Sequence, residues 1–355
     1  MKIKYWILAT TAALWAAACT SEDVELPSDE RQGEMEFDVS VPSFKRDPTT
    51  TLNIQNFNLC AYENGNGYQL FMNNVKVKRT GINSWKYEPL VIWPDFPLNF
   101  VAVSPDSIPI NVNHWWYNTI TYNAKDGKTD VVIAVRMDVK QTNNRLKLNF
   151  AHILSRLQVD VRTTVEESKV ELKEIMLYNM SVGGDFYFPF FNTLPGHPSI
   201  DNCWSDWIDA QARGMFPYYV ADDGDAYELT SEREDLDNQG NIFLVPFQFP
   251  PMQEANGHIT GSAIRLTCRF ISKATGERVW PNEDTPYQLL PNNSSREWGY
   301  IFFPLQDSSR SQRWLPGIDY HYHLIVAQEG VLPVNDSTAT RSTSGNTFTV
   351  TAQPY

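Results

Sequence analysis

Hydrophobic and polar residues alternate along short stretches of this chain from residue 35 onward. Every second position of residues 35–41 is apolar, namely Met35, Phe37, Val39 and Val41, with polar residues between them. A period of two is typical of a β-strand with one face in a core and one in water. Pro42 ends the pattern, and a basic pair, Lys45 and Arg46, follows before a polar stretch that we expect to be open to a protease.

The alternation recurs to the C-terminus, with turn-forming residues between the segments. Further strands are predicted at 55–62, 98–103, 131–135, 146–150, 157–161, 170–177, 242–247, 264–270, 300–303, 320–326 and 347–352. Residues 206–213 and the capping-box pair Ser231 and Glu234 indicate short helices. Short strands with frequent turns, and no long helical period, predict an all-β sandwich or barrel fold with few short helices.

The chain is expected to hold two domains. A charged stretch without aromatic residues places a boundary near Val165, between an N-terminal domain at 35–165 and a C-terminal domain at 166–355. Residues 335–346 have the composition of a flexible linker. They lead to a last alternating strand at 347–352, with Phe348, Val350 and Ala352 on one face.

The N-terminus is typical of an exported protein. Two lysines precede an apolar run that ends at residue 18, too short for a bilayer that requires about 20 residues, so 1–18 is predicted to be a cleaved signal. Small residues stand just before Cys19, which resembles the lipobox of bacterial lipoproteins. That resemblance implies an acylated Cys19 that binds outer-membrane lipid, followed by a flexible tether at 19–34. The alternative is an ordinary secretory signal with an unmodified cysteine.

Composition excludes several classes of protein. A net charge of −13 and a pI near 4.9 argue against binding to nucleic acid or to anionic lipid through basic patches. The four cysteines lack the spacing of a zinc site, and Cys268 alternates in phase with core positions, so we interpret it as a small buried hydrophobe.

No catalytic residue, cofactor site or metal site is assigned. The usual hydrolase and metalloprotease motifs are missing, so an enzyme is not expected. His321 and His323 share a strand face and would offer metal ligands together with Asp319, but a solvated face is the preferred interpretation. His152 is interpreted as a structural hydrogen-bonding residue. Acidic residues at 222–228 are interpreted as an acidic loop in preference to a calcium site.

One segment has a pattern that resembles a known family. The pattern consists of Phe150, His152, Leu154, Ser155, Leu157 and Val159. With residues 98–105, 130–135, 174–180, 244–248 and 316–326, it resembles the fimbrillin family, the lipoprotein-derived subunits of type V pili in Gram-negative anaerobes. The resemblance covers nearly the whole mature chain.

The resemblance implies two tandem transthyretin-like β-sandwich domains and assembly by strand exchange. In the family, a protease cuts the acylated precursor after a basic residue that follows the first strand. Carried over to this sequence, 35–41 is the displaced strand, Arg46 the cut and 347–352 the donor strand, while Arg31 is a competing cut site. A donor strand from a neighbouring copy would fill the vacated groove, and such head-to-tail contacts build a filament.

The first hypothesis is therefore a pilus subunit, stalk or tip, that binds other pilus subunits and serves adhesion. It would be exported to the cell surface as an outer-membrane lipoprotein and end in the fimbrium. The alternative is a permanently anchored surface lipoprotein that binds a glycan or a host protein. The aromatic residues that would stack on sugars are Trp115, Trp116, Tyr117, Trp204 and Trp207, although core packing is the more common role of such residues.

Overall fold

The computed structural model describes residues 33–354 of this 355-residue chain, with gaps. The gaps are 43–48, 66–67, 113–116, 125–126, 142–144, 194–199, 206–212, 223–224, 237–241, 256–257, 292–295, 306–312 and 328–345, and residues 254–255, 258 and 347–354 are described by their backbone. The described part contains no α-helix and a single 3-10 turn, Tyr287–Leu289. No helix in this part could therefore cross a bilayer. The all-β prediction is confirmed.

The strands are short and connected by turns. In chain order they are β1 Phe37–Ser40, β2 Asn56–Glu63, β3 Leu70–Gly81, β4 Ser84–Tyr87, β5 Leu98–Ser104, β6 Thr119–Asn123, β7 Val132–Val139, β8 Leu146–Asn149, β9 Ala151–His152, β10 Ser155–Thr163, β11 Ser168–Ser181, β12 Gly183–Tyr187, β13 Arg213–Val220, β14 Tyr227–Glu228, β15 Glu234–Asp235, β16 Ile242–Leu244, β17 Gln253–Ala255, β18 His258–Thr260, β19 Ala263–Ser272, β20 Arg278–Trp280, β21 Gly299–Pro304, β22 Ile318–Val326 and β23 Thr347–Pro354.

The first half is built around a six-stranded antiparallel sheet in the order β4-β3-β2-β5-β7-β9. Its central strands are covered on both faces. Phe100 and Ala102 of β5 pack in one core with the β1–β8 pair, whereas Val101 and Val103 pack in a second core. This explains why residues 98–103 are nearly continuously apolar, because every side chain of β5 is buried.

The second half is formed by two sheets that share the second core. One has the order β15-β10-β22-β23, with β16 also paired to β10. The other has the order β13-β11-β19-β20, with β14 also paired to β11 and β21 to β19. Strands β10 and β22 are parallel, whereas β22 and β23 are antiparallel. Side chains of β10, β22, β11 and β19 lie in the same hydrophobic cluster, so the two sheets form a sandwich.

Strand pairing crosses the domain boundary predicted near Val165. Strand β10 precedes that position but pairs with β22, β15 and β16, which follow it. Strand β6 of the first half pairs with β12 of the second. The two-domain division stays a prediction, and hydrogen bonds join its two parts.

The helix indicated by Ser231 and Glu234 is not formed, and that prediction is wrong. Glu234 belongs to β15, which pairs with β10. The hydroxyl of Thr230 donates to the Glu234 carboxylate at 2.8 Å, which is a local bond between two side chains at the start of the strand. Residues 206–212, most of the other predicted helix, lie outside the described residues.

Candidate strand-exchange site

Strand β1 occupies a groove in the first half of the molecule. It pairs in parallel with β8, aligning Phe37 with Leu146 and Val39 with Leu148. Met35, Phe37, Val39 and Val41 are each no more than 4% exposed, and polar residues alternate with them. The amphipathic character predicted for this strand is confirmed.

Aromatic contacts fix the centre of β1 in its groove. The ring centroid of Phe37 lies 5.9 Å from that of Phe57 and 5.4 Å from that of Tyr87, both in edge-to-face geometry. Burial of a side chain of this kind contributes about 1.5–3 kcal/mol. Burial raises the pKa of Tyr87, whose hydroxyl donates to the Val91 carbonyl at 3.3 Å. The apolar face of β1 is thus an integral part of the first core.

Hydrogen bonds also hold the C-terminal end of β1. The amide of Phe150 donates to the Ser40 carbonyl at 2.7 Å. The hydroxyl of Thr51 donates to the Val41 carbonyl at 3.0 Å and accepts from the Val41 amide at 2.8 Å. Thr51, which sequence reasoning did not select, therefore holds the end of β1 from beyond the predicted cut. Cys19 and Arg46 lie outside the described residues.

The predicted donor strand lies at the end of a sheet in its own chain. Strand β23 pairs antiparallel with β22, aligning Phe348 with Leu324, Val350 with Tyr322 and Ala352 with Tyr320. In the described part of the chain, β22 is its only strand partner. Residues 335–345 of the predicted linker lie outside the described residues. At the last linker position, Asn346 Oδ1 accepts a hydrogen bond from the Ala327 amide at 2.7 Å. An edge strand with one neighbour is the kind of element that can change partners.

A cluster of titratable side chains lies on the outer face of the β10–β22 ladder. Asp160 Oδ2 is 2.6 Å from His323 Nδ1 and 3.1 Å from His321 Nε2. The imidazole centroids are 4.3 Å apart. Burial lowers the pKa of His321, and the Asp160 carboxylate opposes that shift.

This geometry corrects the sequence interpretation of the two histidines. The two histidines are partly exposed on this outer face, and the carboxylate that contacts them is that of Asp160 instead of Asp319. Asp319 is buried and accepts from Arg156 Nη2 at 2.6 Å and Gln158 Nε2 at 2.9 Å. Asp160 was missed because only the non-local β10–β22 pairing brings it beside His323.

The residues proposed to stack on sugars are only partly described. Trp204 is buried, and its indole N–H donates to the Ile153 carbonyl at 2.7 Å, so it is a core residue and presents no platform. Trp115, Trp116 and Trp207 lie outside the described residues. Tyr117 is half exposed and packs edge-on against Tyr187.

Two other interpretations of single residues are confirmed. His152 is buried, with its Nδ1 3.0 Å from the Asp130 carboxylate. Cys268 is fully buried, and this burial raises the pKa of its thiol. Cys60, Cys203 and Cys268 are free thiols, with no disulfide between them.

Comparison with solved structures shows that the fold is similar to that of a known fimbrial protein. The crystal structure of a fimbrial protein from Bacteroides vulgatus matches with a TM-score of 0.56 and 15% identity over 91% of this chain and 99% of that chain. A fimbrilin from Porphyromonas gingivalis matches with a TM-score of 0.46 and 12% identity over 91% and 98% of the two chains. At 15% identity, the likeness to the Bacteroides protein shows the fold alone. No curated protein matches the chain.

The sequence itself identifies the family. The model of the fimbrillin-like family matches residues 46–235, more than half of the 355 residues. The chain therefore belongs to the fimbrillin-like family, as the pattern at 150–159 predicts. Strand β1 lies before the matched region, and β22 and β23 lie after it.

Proposed function

We propose that this protein is a structural subunit of a bacterial surface pilus, assembled by proteolysis-triggered strand exchange and serving adhesion. Family membership supports the structural role, and the fimbrial protein of similar fold is consistent with it. The observation that supports the mechanism is the burial of β1 in its groove. The segment 35–41, with four buried apolar side chains, stands just before a basic pair, so one cut would leave it without a covalent bond to the rest of the core.

Loss of β1 would create a site for a replacement strand. The β8 backbone would lose its β1 partner, and the slot between Phe57 and Tyr87 would be open to water. An alternating strand from another copy satisfies both requirements by β-augmentation. Strand β23, which has the required alternation and lies at a sheet edge, is the proposed donor.

The location follows from the same proposal. Acylation of Cys19 would anchor the precursor in the outer membrane, and the cut at Arg46 would separate the anchor from the assembling subunit. The matured chain would then begin at Asp47 and lie in the fimbrium. Mass spectrometry of surface-purified protein tests this order. An acylated chain that still contains β1 in the functional form would support the permanently anchored alternative and overturn the proposal.

The cut site is tested by a matched pair of substitutions. Arg46→Gln should leave β1 attached and abolish polymer formation, because the groove stays filled. Arg31→Gln removes the competing basic residue upstream and should polymerise like the wild-type protein. Polymer ladders on native gels measure both variants, and normal polymers from Arg46→Gln would exclude this cut.

The donor is tested by truncation. Deletion of residues 345–355 should give a folded monomer that cannot donate to a neighbour. Circular dichroism reports folding, and size-exclusion chromatography reports assembly. Undiminished polymerisation of the truncated chain would rule out β23 as the donor.

A further inference from the structure

The carboxylate of Asp160 contacts two imidazoles on the outer face of the β10–β22 ladder. In the parallel β10–β22 ladder Asp160 aligns with His323, and His321 is two residues earlier on the same face of β22. The intervening Tyr322 points into the core, as do Val159 and Val161 on β10. Alternation on both strands therefore places all three polar side chains on the face opposite to the core.

Hydrogen bonding within this cluster is incomplete. Asp160 Oδ1 is buried and has no hydrogen-bond partner among the described residues. His321 Nε2 is also buried and lies 3.1 Å from Asp160 Oδ2, but the pair is not aligned as a hydrogen bond. The Asp160 side chain is only 9% exposed. Native structures rarely leave buried polar atoms unpaired, and a bound water or ion is a common partner of such atoms.

The three side chains have the arrangement of a ligand set, in which His323 Nδ1 already shares a hydrogen bond with Asp160 Oδ2. One donor atom from each of Asp160, His321 and His323 lies within 4.8 Å of the others, and this is the only such group in the described part of the chain. Asp235 faces Asp160 in the β10–β15 ladder and adds a second carboxylate beside it. The site therefore combines imidazole nitrogen with negative charge.

We propose that Asp160, His321 and His323 bind a divalent first-row transition metal, with Zn²⁺ as the expected ion. Imidazole and carboxylate are ordinary ligands of Zn²⁺, and a fourth position would be filled by water. Metal–ligand distances of about 2.0–2.2 Å place tetrahedral ligand atoms roughly 3.3 Å apart. The 3.1 Å contact already fits, whereas the 2.6 Å contact must open by a small side-chain rotation. Coordination through Nδ1 requires His323 to carry its ring proton on Nε2.

The consequence of metal binding would be structural. The ion would join β10 to β22, and β22 carries the C-terminal strand: His321 aligns with Thr351 and His323 with Thr349. Metal binding would thus stabilise the sheet whose edge is β23. This inference rests on the side-chain cluster and does not depend on the proposed function.

Metal titration of the full-length protein tests the site. Protein freed of metal with EDTA is titrated with Zn²⁺ by calorimetry, and separately with Co²⁺, whose visible absorption reports tetrahedral coordination. We expect one ion per chain and a higher melting temperature with Zn²⁺. Loss of an outer-shell partner alone weakens metal binding by about 10- to 100-fold, so His321→Asn and His323→Asn should weaken it at least as much.

A matched control comes from another histidine of the chain. His258 lies on β18, in a separate two-stranded sheet. The His258→Asn variant should therefore bind Zn²⁺ like the wild-type protein. The Co²⁺ spectrum of the wild-type protein keeps the test decisive if a variant does not fold. No tetrahedral Co²⁺ absorption, or equal Zn²⁺ affinity in both cluster variants and the control, would overturn the proposal.

Discussion

At the scale of single residues, the ion pair of Arg156 and Asp319 is a buried contact whose loss should be costly. Arg156 Nη2 and Asp319 Oδ2 are 2.6 Å apart, and the two side chains are 2% and 3% exposed. Removal of one partner from such a pair costs about 3–5 kcal/mol, because the other charge stays buried. Asp319→Asn should therefore lower the urea midpoint strongly.

The control for this variant is an exposed carboxylate changed in the same way. Glu228 pairs with Lys169 at 3.3 Å, with both side chains about half exposed. An exposed pair of this kind contributes at most about 1 kcal/mol. Glu228→Gln should thus unfold close to the wild-type midpoint, and equal effects of the two substitutions would contradict the argument from burial.

The thiols give a second prediction at this scale. Burial raises the pKa of Cys60 and of Cys203 to about 11, and Cys268 is fully buried. Because the thiolate is the reactive form, a disulfide reagent at pH 8 should label the native protein slowly. In guanidinium chloride these three cysteines should all react. A count of four in the surface-purified precursor would show that Cys19 is free and would contradict its acylation.

At the scale of elements, β1 should behave as part of the core before any cut. Phe37→Ala removes a side chain packed against Phe57 and Tyr87 and should cost about 3–5 kcal/mol through the cavity it leaves. Asp38→Ala, on the outward position next to it, should change stability by no more than about 0.5 kcal/mol. Thermal unfolding of uncut protein compares the two, and equal melting temperatures would show that the groove does not need β1.

The positions of strands were predictable where buried residues alternate with exposed ones along the sequence. The phase of the pattern changes within β11, where Val170 and Leu172 are followed by Ile175 and Leu177. A β-bulge explains the change, because the register with β19 shifts between Leu172 and Glu174. All four apolar side chains are consequently buried. Alternation alone does not distinguish such a bulge from two separate strands.

At the scale of the whole molecule, the limit of prediction is long-range pairing. Strand β1 was predictable because its alternating residues and the basic pair that follows them are adjacent in the sequence. The parallel partnership of β10 with β22 joins residues more than 150 positions apart, and no local pattern encodes it. Asp160 was overlooked for this reason. The predicted boundary near Val165 follows local composition, which likewise does not report the hydrogen bonds that cross it.

Head-to-tail assembly makes a quantitative prediction for mixtures of subunits. A subunit that lacks residues 345–355 and has been cut at Arg46 can accept a donor strand but cannot provide one. Each truncated copy that enters a filament should therefore end its growth in one direction, since heterologous contacts extend only while every copy both accepts and donates. Mean filament length, measured by electron microscopy, should fall as the truncated fraction rises. Addition of the same amount of full-length subunit should not shorten the filaments. Unchanged lengths across the mixing series would mean that the C-terminal strand does not join neighbouring subunits.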